Sequence, residues 1–251
     1  MNNQINLPEI SIVIPVHNEA ENIEFLLNRI IKSMESIDNY EIVIVNDGSS
    51  DNTEEIIKNF FLGLENFTYL KHKFQSGQSV ALLSGVEISK SDWIVTLDGD
   101  GQNDPYDIVK LINKKNEINI DNLLLAGYRK KRKDNIYKII QSKIANSIRS
   151  FILNDNTPDT GCGIKLFNKN LFMTFPKFKN MHRFLPALAI YFGAKVYSVE
   201  VNHLPRYKGI SHYGMWGRLF AGIFDIFGIL WLKNRLIIRE IQDKKSKLND
   251  Q

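Results

Sequence analysis

The chain has 251 residues, 43% hydrophobic and 24% charged, with a net charge of +4. That is apolar material enough for one large α/β domain, and it excludes a disordered or fibrous chain. The single cysteine, Cys162, excludes an internal disulfide and fits a reducing compartment. The opening MNNQINLPEIS has no apolar signal region. No run reaches the ~20 apolar residues that a spanning helix needs. The small net charge conceals an asymmetry. Residues 1–128 carry 9 Lys/Arg and 20 Asp/Glu, net −11, whereas residues 129–251 carry 23 and 8, net +15. An acidic half suits a cation, and a basic half suits something anionic: phosphate, nucleic acid or a membrane surface.

In chain order, Ile10–Pro15 reads as a short buried strand. His17-Asn18-Glu19 follows, then a helix with apolar positions Ile23, Leu26, Leu27, Ile30 and Ile31. Glu41–Val45 is a second strand, ending in Asn46-Asp47-Gly48-Ser49-Ser50-Asp51-Asn52-Thr53, where Asp51 or Thr53 can cap a helix from Glu54 to Phe60. Phe67–His72 is a third strand. Gln75-Ser76-Gly77-Gln78-Ser79 leads into a helix through Ala81, Leu82 and Val86. Trp93–Leu97, a helix over Asp107–Asn116 and the strand Leu123–Gly127 complete the first half. Strands and helices alternating with polar turns at the strand ends predict a mostly parallel, doubly wound sheet. No Gly-x-Gly-x-x-Gly follows the first strand, so the opening is not of the dinucleotide type.

After residue 128 the character changes. Arg129-Lys130-Lys131-Arg132-Lys133 is a basic cluster. Asn135–Leu153 reads as a helix with Tyr137, Ile140, Ile144, Ile148, Phe151 and Ile152 on one face, and with Lys138, Lys143 and Arg149 outside it. Asp155 to Gly163 is a turn-rich loop. A strand at Ile164–Phe167, a helix around Phe184–Phe192 and a strand at Lys195–Val201 follow. His203 to Tyr213 is a polar, basic loop, and a last helix runs from about Met215 to about Glu240. The expected organisation is one domain over 1–213 and an amphipathic extension over 214–251.

The stretch Trp93 to Pro105, WIVTLDGDGQNDP, carries the chemistry. A β-prone apolar run stops at Asp98-Gly99-Asp100-Gly101-Gln102, so a buried strand presents two carboxylates and an amide at its C-terminal end. Open α/β sheets bind ligands at that end. Two close carboxylates repel unless a cation sits between them. Hard oxygen ligands of this kind suit Mg²⁺ or Mn²⁺ shared with substrate phosphates. A bare Asp-x-Asp is also an ordinary Asp/Gly turn, and the surrounding motifs decide between the two.

The remaining candidates divide in the same way. Asp47 is either a nucleotide-base acceptor or a turn residue. Glu19 is either a nucleotide contact or a charge that complements its helix N-terminus. Gln78 opens a helix, where anions bind readily, or is a solvated first-turn residue. The cluster at 129–133 has only Tyr128 as an aromatic neighbour, which argues against nucleic acid. His182 and His203 lack zinc-site spacing and read as polar or packing residues, and Cys162 has no triad pattern. Leu219–Leu232 is either a core helix or an interfacial one, with Phe220, Phe224, Phe227, Leu230 and Trp231 in the headgroup region and Arg218, Lys233, Arg235 and Arg239 at its flanks. Basic flanks and internal aromatics favour the interface.

Together these motifs resemble the family 2 glycosyltransferases of GT-A fold, in the branch of dolichol-phosphate mannose synthases and bacterial polyprenyl-phosphate relatives. The resemblance is carried by Pro15-Val16-His17-Asn18-Glu19, Asn46-Asp47-Gly48-Ser49-Ser50-Asp51, Gly77-Gln78 and Asp98-Gly99-Asp100-Gly101-Gln102-Asn103-Asp104-Pro105. It extends through Gly127-Tyr128-Arg129, Ser142-Lys143 with Asn146, Asp159-Thr160-Gly161, and Arg206 with Gly209 and Ser211. It implies a nucleotide pocket at Pro15, His17, Glu19, Asp47, Gln78 and Asp98, and a metal, Mg²⁺ or Mn²⁺, at Asp98, Asp100 and Gln102. It implies an acceptor-phosphate site at Arg129, Ser142, Lys143, Arg206 and Ser211, with Asp100, Arg129 and Arg206 as the catalytic set. The chain departs from the pattern at His17, where Tyr is frequent, at Asn46 for Asp, Gln78 for Lys, Lys143 for Arg and His212 for Lys.

The resulting expectation is an inverting transferase. It moves a sugar from a UDP- or GDP-linked donor to a polyprenyl phosphate, attached peripherally at the cytoplasmic membrane face, in cell-envelope glycan synthesis. A soluble or glycan acceptor, or a non-catalytic nucleotide-sugar-binding protein, is the alternative.

Overall fold

The computed structural model describes residues 7–130, 147, 149–205 and 215–235, with side chains in the last segment from residue 224 onward. A seven-stranded sheet forms the centre, in the order β3-β2-β1-β4-β6-β5-β7. The strands are β1 (Ile10–Val16), β2 (Tyr40–Asn46), β3 (Phe67–Lys71), β4 (Trp93–Thr96), β5 (Leu123–Arg129), β6 (Lys165–Asn168) and β7 (Lys195–Val201). The helices are α1 (Ile23–Ser33), α2 (Thr53–Phe60), α3 (Gln78–Ile88), α4 (Tyr106–Ile118), α5 (Lys169–Thr174), α6 (Leu185–Tyr191) and α7 (Met215–Lys233). The mostly parallel sheet expected from the sequence is present. Its exception is β6, which runs antiparallel to both β4 and β5.

Strand alternation builds two cores, one on each face. On β1, Ile10, Ile12, Ile14 and Val16 pack with α1, α2 and α4, while Val13 points to the other face with α3. Both faces are covered, which is why these strands read as continuous apolar runs and not as alternating ones. Helix α1 puts Ile23, Leu26, Leu27 and Ile30 on the sheet at helical spacing. Helix α4 ends at Asn119, whose backbone is left-handed at φ 51°. On α3, a methyl on Gly85 would lie 2.4 Å from Val13 Cγ1, so this helix comes closer to the sheet than any larger residue allows. Truncating a buried side chain such as Ile12 or Leu27 to Ala costs about 2–5 kcal/mol.

The topology fixes the location of the site. Strand β1 lies between β2 and β4, so the chain leaves it toward one neighbour and returns on the other side. That reversal is the switch point at which open α/β sheets bind ligands. β1, β2, β4, β5 and β7 end on one rim, and the antiparallel β6 starts there. His17, Asp47, Asp98, Arg129 and Lys165 therefore share that rim.

Helix α7 is a single helix whose Ile229 joins the buried core that also holds residues of α5 and α6, with Ile226, Leu230 and Leu232 packed against that core. Its Asp225 accepts a hydrogen bond from Asn180 Nδ2 (3.1 Å). The opposite face exposes Phe224 (75%), Phe227 (66%) and Trp231 (62%). No helix among the described residues is long and apolar enough to cross a membrane.

Candidate active site

The turns after β1 and β2 hold each other. The Asn18 N–H donates to Ser49 Oγ (3.0 Å), the Glu19 N–H to Thr53 Oγ1 (2.9 Å) and the Ala20 N–H to Asp51 Oδ2 (3.1 Å). Asn18 returns a bond by accepting from the Ser50 N–H (2.8 Å). Asp51 also accepts from the Thr53 N–H and hydroxyl at the start of α2, but the N-cap is Asn52, which makes no side-chain capping bond, so neither Asp51 nor Thr53 takes the expected cap position. His17 Nδ1 lies 2.8 Å from the Asp47 carbonyl oxygen. Glu19 accepts from Asn22 Nδ2 (2.7 Å) at the start of α1.

Asp47 is buried, and its carboxylate grips the segment before α3. It accepts from the N–H groups of Ser76 (2.8 Å) and Gly77 (2.7 Å), and His72 Nδ1 is 2.8 Å away. Gly48 makes this approach possible. It has φ +66°, and a Cβ there would lie 2.7 Å from the backbone of Phe74 and Gln75. Asp47 thus sets the position of α3's first turn, and Gln78 in that turn donates from Nε2 to Asp98 Oδ1 (2.8 Å). Gln78 is exposed in the first turn and at the same time a contact of the central carboxylate.

The loop after β4 is similarly restrained. The Asp98 N–H donates to Asn103 Oδ1 (2.9 Å), and Asp100 Oδ1 accepts from the Gln102 N–H (3.0 Å). Asp104 pairs with Arg29 of α1 (2.8 Å) and accepts from Asn202 Nδ2 (3.2 Å). The Leu204 N–H donates to the Gln102 carbonyl (2.9 Å), and Asn103 bridges to His203. The chain after β7 is thus stitched to the carboxylate loop two residues before Arg206. Arg206 and Ser211, together with Ser142 and Lys143, lie outside the described residues, as do most of the Asn135–Leu153 segment and the helix beyond Arg235.

Burial and the neighbouring Asp100 charge push Asp98 up to about 6, against the opposing pull of Lys165, Arg129 and the Gln78 bond. A carboxylate held this way is one that a cation would stabilise. Among the described residues no three His, Cys, Asp or Glu side chains gather as a metal cluster. The donor set at the rim is two carboxylates and an amide, all hard oxygen ligands. That set fits a divalent ion which completes its shell with substrate phosphate oxygens and water.

On the other flank Arg129 ends β5. Its Nε and Nη2 bind Asp159 in a two-point fork at 2.7 and 2.9 Å, and its backbone N–H reaches the same carboxylate at 3.3 Å. Burial opposes its charge, but Asp159 outweighs burial and raises the pKa, so the guanidinium stays protonated. Arg149 was expected outside an apolar face, yet it is buried. Its Nη2 donates to the Thr157 carbonyl (2.5 Å) and to Asp155 (3.3 Å). Phe151, two residues on, is 88% exposed.

Two residues at the site escape sequence reasoning. Gly163 backs the central carboxylate: a Cβ there would lie 2.2 Å from Asp98 Oδ2. Lys165 is 4% exposed, and its Nζ donates to the carbonyls of Cys162 and, at 3.4 Å, Thr160. Burial lowers its pKa, while Cys162, Asp98 and Asp159 work against that fall. Cys162 is buried and its thiol is pushed up to about 11 by that burial, which leaves no reactive thiolate. His182 makes a 2.8 Å bond through Nδ1 to Ser79 Oγ, and burial pulls its pKa down to about 3, so the ring is neutral.

Residues 11–175 match the model for Glycosyl transferase family 2. The chain belongs to this family. Among the relatives of this glycosyltransferase, a dodecaprenyl-phosphate galacturonate synthase from Rhizobium johnstonii is 30% identical over 236 residues, 92% of this chain and 69% of that one. An undecaprenyl-phosphate 4-deoxy-4-formamido-L-arabinose transferase from Aeromonas hydrophila subsp. hydrophila is 27% identical over 264 residues, 94% of this chain and 79% of that one. Two solved structures share the fold. Glucosyl-3-phosphoglycerate synthase from Mycobacterium tuberculosis, with Mn²⁺, UDP and glucosyl-3-phosphoglycerate, superposes with a TM-score of 0.65 at 14% identity, covering 93% of this chain and 81% of that one. A mannosyltransferase from Pyrobaculum calidifontis, with GDP-Man and Mn²⁺, gives 0.65 at 16%, covering 91% and 65%.

Proposed function

We propose that this glycosyltransferase moves a sugar from a nucleoside-diphosphate sugar to a polyprenyl phosphate, working from the cytoplasmic membrane face. One observation carries the reading. The Asp98 carboxylate and the Arg129 guanidinium stand on one rim, on strands either side of β6, with the segment Asp159–Gly163 touching both. A cation-type site thus adjoins a phosphate-type site. The naming of relatives as dodecaprenyl- and undecaprenyl-phosphate enzymes supports the lipid acceptor.

In this reading Pro15, His17, Glu19 and Asp47 line the nucleotide pocket, and Gln78 orients Asp98. Asp98, Asp100 and Gln102 hold Mg²⁺ or Mn²⁺. When bound, that ion supplies positive charge for the leaving diphosphate. Arg129, with Ser142, Lys143, Arg206 and Ser211, receives the acceptor phosphate. Asp159 fixes the Arg129 fork, so the guanidinium is held in place before the acceptor arrives. The acceptor oxygen is already anionic and needs no side-chain base. It attacks the anomeric carbon as the bond to the diphosphate breaks on the opposite side, and the configuration inverts. The chain's contribution is orientation and charge.

Membrane attachment is peripheral in this account. Phe224, Phe227 and Trp231 form an exposed stripe on α7. The buried face of the same helix keeps it on the protein, and Asp225 is tied to Asn180. An amphipathic helix of this kind lies in the headgroup layer. Incubation with a panel of radiolabelled UDP- and GDP-sugars and undecaprenyl phosphate tests the function. Label in the organic phase supports it, and turnover that never labels lipid refutes it.

A further inference from the structure

We propose that Lys165 is a positioning residue that holds the donor-side carboxylate Asp98 and the acceptor-side guanidinium Arg129 in one fixed relation. The proposal rests on the reading of the two flanks given above.

The argument starts from β6. This strand is the antiparallel insertion, and its first residue, Lys165, lies opposite Thr96 on β4 and Ala126 on β5. Two residues beyond Thr96 is Asp98, and three beyond Ala126 is Arg129. Lys165 is thus flanked by the two strands that deliver the two groups to the rim. Its side chain is buried and turns back along its own chain to the carbonyls of Thr160 and Cys162.

Those carbonyls belong to the segment that links the flanks. At one end Asp159 grips Arg129 at two points. At the other, Gly163 lies against the Asp98 carboxylate so closely that no side chain fits between them. Thr96 Oγ1 donates to the Gly163 carbonyl (2.6 Å), which ties the segment to β4. On the β5 side a methyl on Gly127 would lie 2.9 Å from the Ile164 carbonyl oxygen and 3.1 Å from Cys162 Sγ. The segment is therefore wedged between the strands, and one ammonium tethers its middle from inside. An ammonium suits this task because it is a compact group with three N–H donors. Without it two buried carbonyls lose a donor, and the segment moves to recover one.

A residue confined to one flank would affect one ligand, whereas Lys165 should affect both. The test compares Lys165→Met, Lys165→Arg, Asp159→Asn and Gln78→Ala in the full chain. Three quantities are read: Mn²⁺ affinity in the presence of UDP or GDP, KM for undecaprenyl phosphate, and amide exchange over residues 159–163. Lys165→Met should weaken Mn²⁺ and raise the acceptor KM together, each about tenfold, the scale of lost support behind ligating groups. Exchange over 159–163 should rise, and Lys165→Arg should restore most of all three. Asp159→Asn should move the acceptor KM alone, and Gln78→Ala the Mn²⁺ affinity alone. A Lys165→Met protein that merely melts earlier, or that shifts only one of the two ligands, overturns the proposal. If Lys165→Met does not fold, Lys165→Gln takes its place under the same criteria. If the wild type uses no lipid phosphate, the acceptor reading fails separately. The Mn²⁺ and exchange measurements then still decide for or against Lys165.

Discussion

The two flanks of the site are held together by different physics. On the donor flank the restraints are short bonds between adjacent turns, in which backbone N–H groups donate to the hydroxyls of Ser49 and Thr53 and to the carboxylates of Asp51 and Asp47. On the acceptor flank the restraints are buried charges: Arg129 with Asp159, Arg149 with Asp155, and Lys165 on two carbonyls. A lost neutral hydrogen bond costs about 0.5–1.5 kcal/mol, whereas an uncompensated buried charge costs several times that. The hydroxyl bonds of the donor flank should therefore tolerate single losses, and the buried ion pairs of the acceptor flank should not.

The largest expected effect concerns Asp98, the point at which the flanks meet. Asp98→Asn should lower transfer by ~10²–10³-fold, the usual cost of removing one group that stabilises transition-state charge. The fold should gain from the same change. In the metal-free protein the folded-state pKa of Asp98 is raised to about 6 from 3.8. Folding then binds a proton between those values, so this group's contribution to stability falls as pH rises through that window. Asp98→Asn removes the loss, so its melting temperature should exceed that of wild type by more at pH 8 than at pH 4. Equal differences at both pH values would remove the account of a strained carboxylate.

Next comes Arg129→Ala. It removes the charged contact to the acceptor phosphate, worth about 2 kcal/mol or about 30-fold in acceptor KM, and separately lowers stability by leaving Asp159 unpaired. Nucleotide affinity should be unchanged by calorimetry. A matching loss of nucleotide affinity would show that the flanks are not separate. A smaller effect is expected from Gly163→Ala, whose methyl must displace the Asp98 carboxylate. About tenfold weaker Mn²⁺ activation should follow. Normal activation would mean that the Asp98 carboxylate shifts without consequence.

These two flanks were also unequally legible in the sequence. Asp98, Asp100 and Gln102 are close in sequence and follow an apolar run, so strand end and ligand set are read in one glance. The same holds for Asn46 to Asp51. Lys165, by contrast, begins a four-residue strand, and nothing in its spacing shows that its side chain turns back on residues 160 and 162. Arg149 stands outside the apolar face of its predicted helix, and its burial is not legible because its partners lie in a loop with no periodicity. The direction of β6 was equally hidden, since strand pairing is set by distant residues and not by local pattern. Gly163 could have been found only by asking what a Cβ would strike. Helix α7 was legible as amphipathic; its described part runs Met215–Lys233, and the stretch from 236 to the expected end at Glu240 lies outside the described residues.

The smallest expected effect is at the membrane. Replacing Phe224, Phe227 and Trp231 together by Ser should reduce flotation with anionic vesicles by about threefold to tenfold, with the remainder lost in high salt. Activity on a short-chain soluble acceptor phosphate should persist. Unchanged flotation would remove α7 from the interface.

The central claim is that the two flanks serve one transfer from a nucleotide sugar to a lipid phosphate. Its most direct measurement follows radiolabelled sugar into organic solvent, with undecaprenyl phosphate present or absent and with Mn²⁺ present or chelated. The account predicts label in the organic phase only when both lipid phosphate and metal are supplied, and none with Asp98→Asn. Donor turnover that leaves all label in water, or lipid labelling that survives chelation, would contradict it.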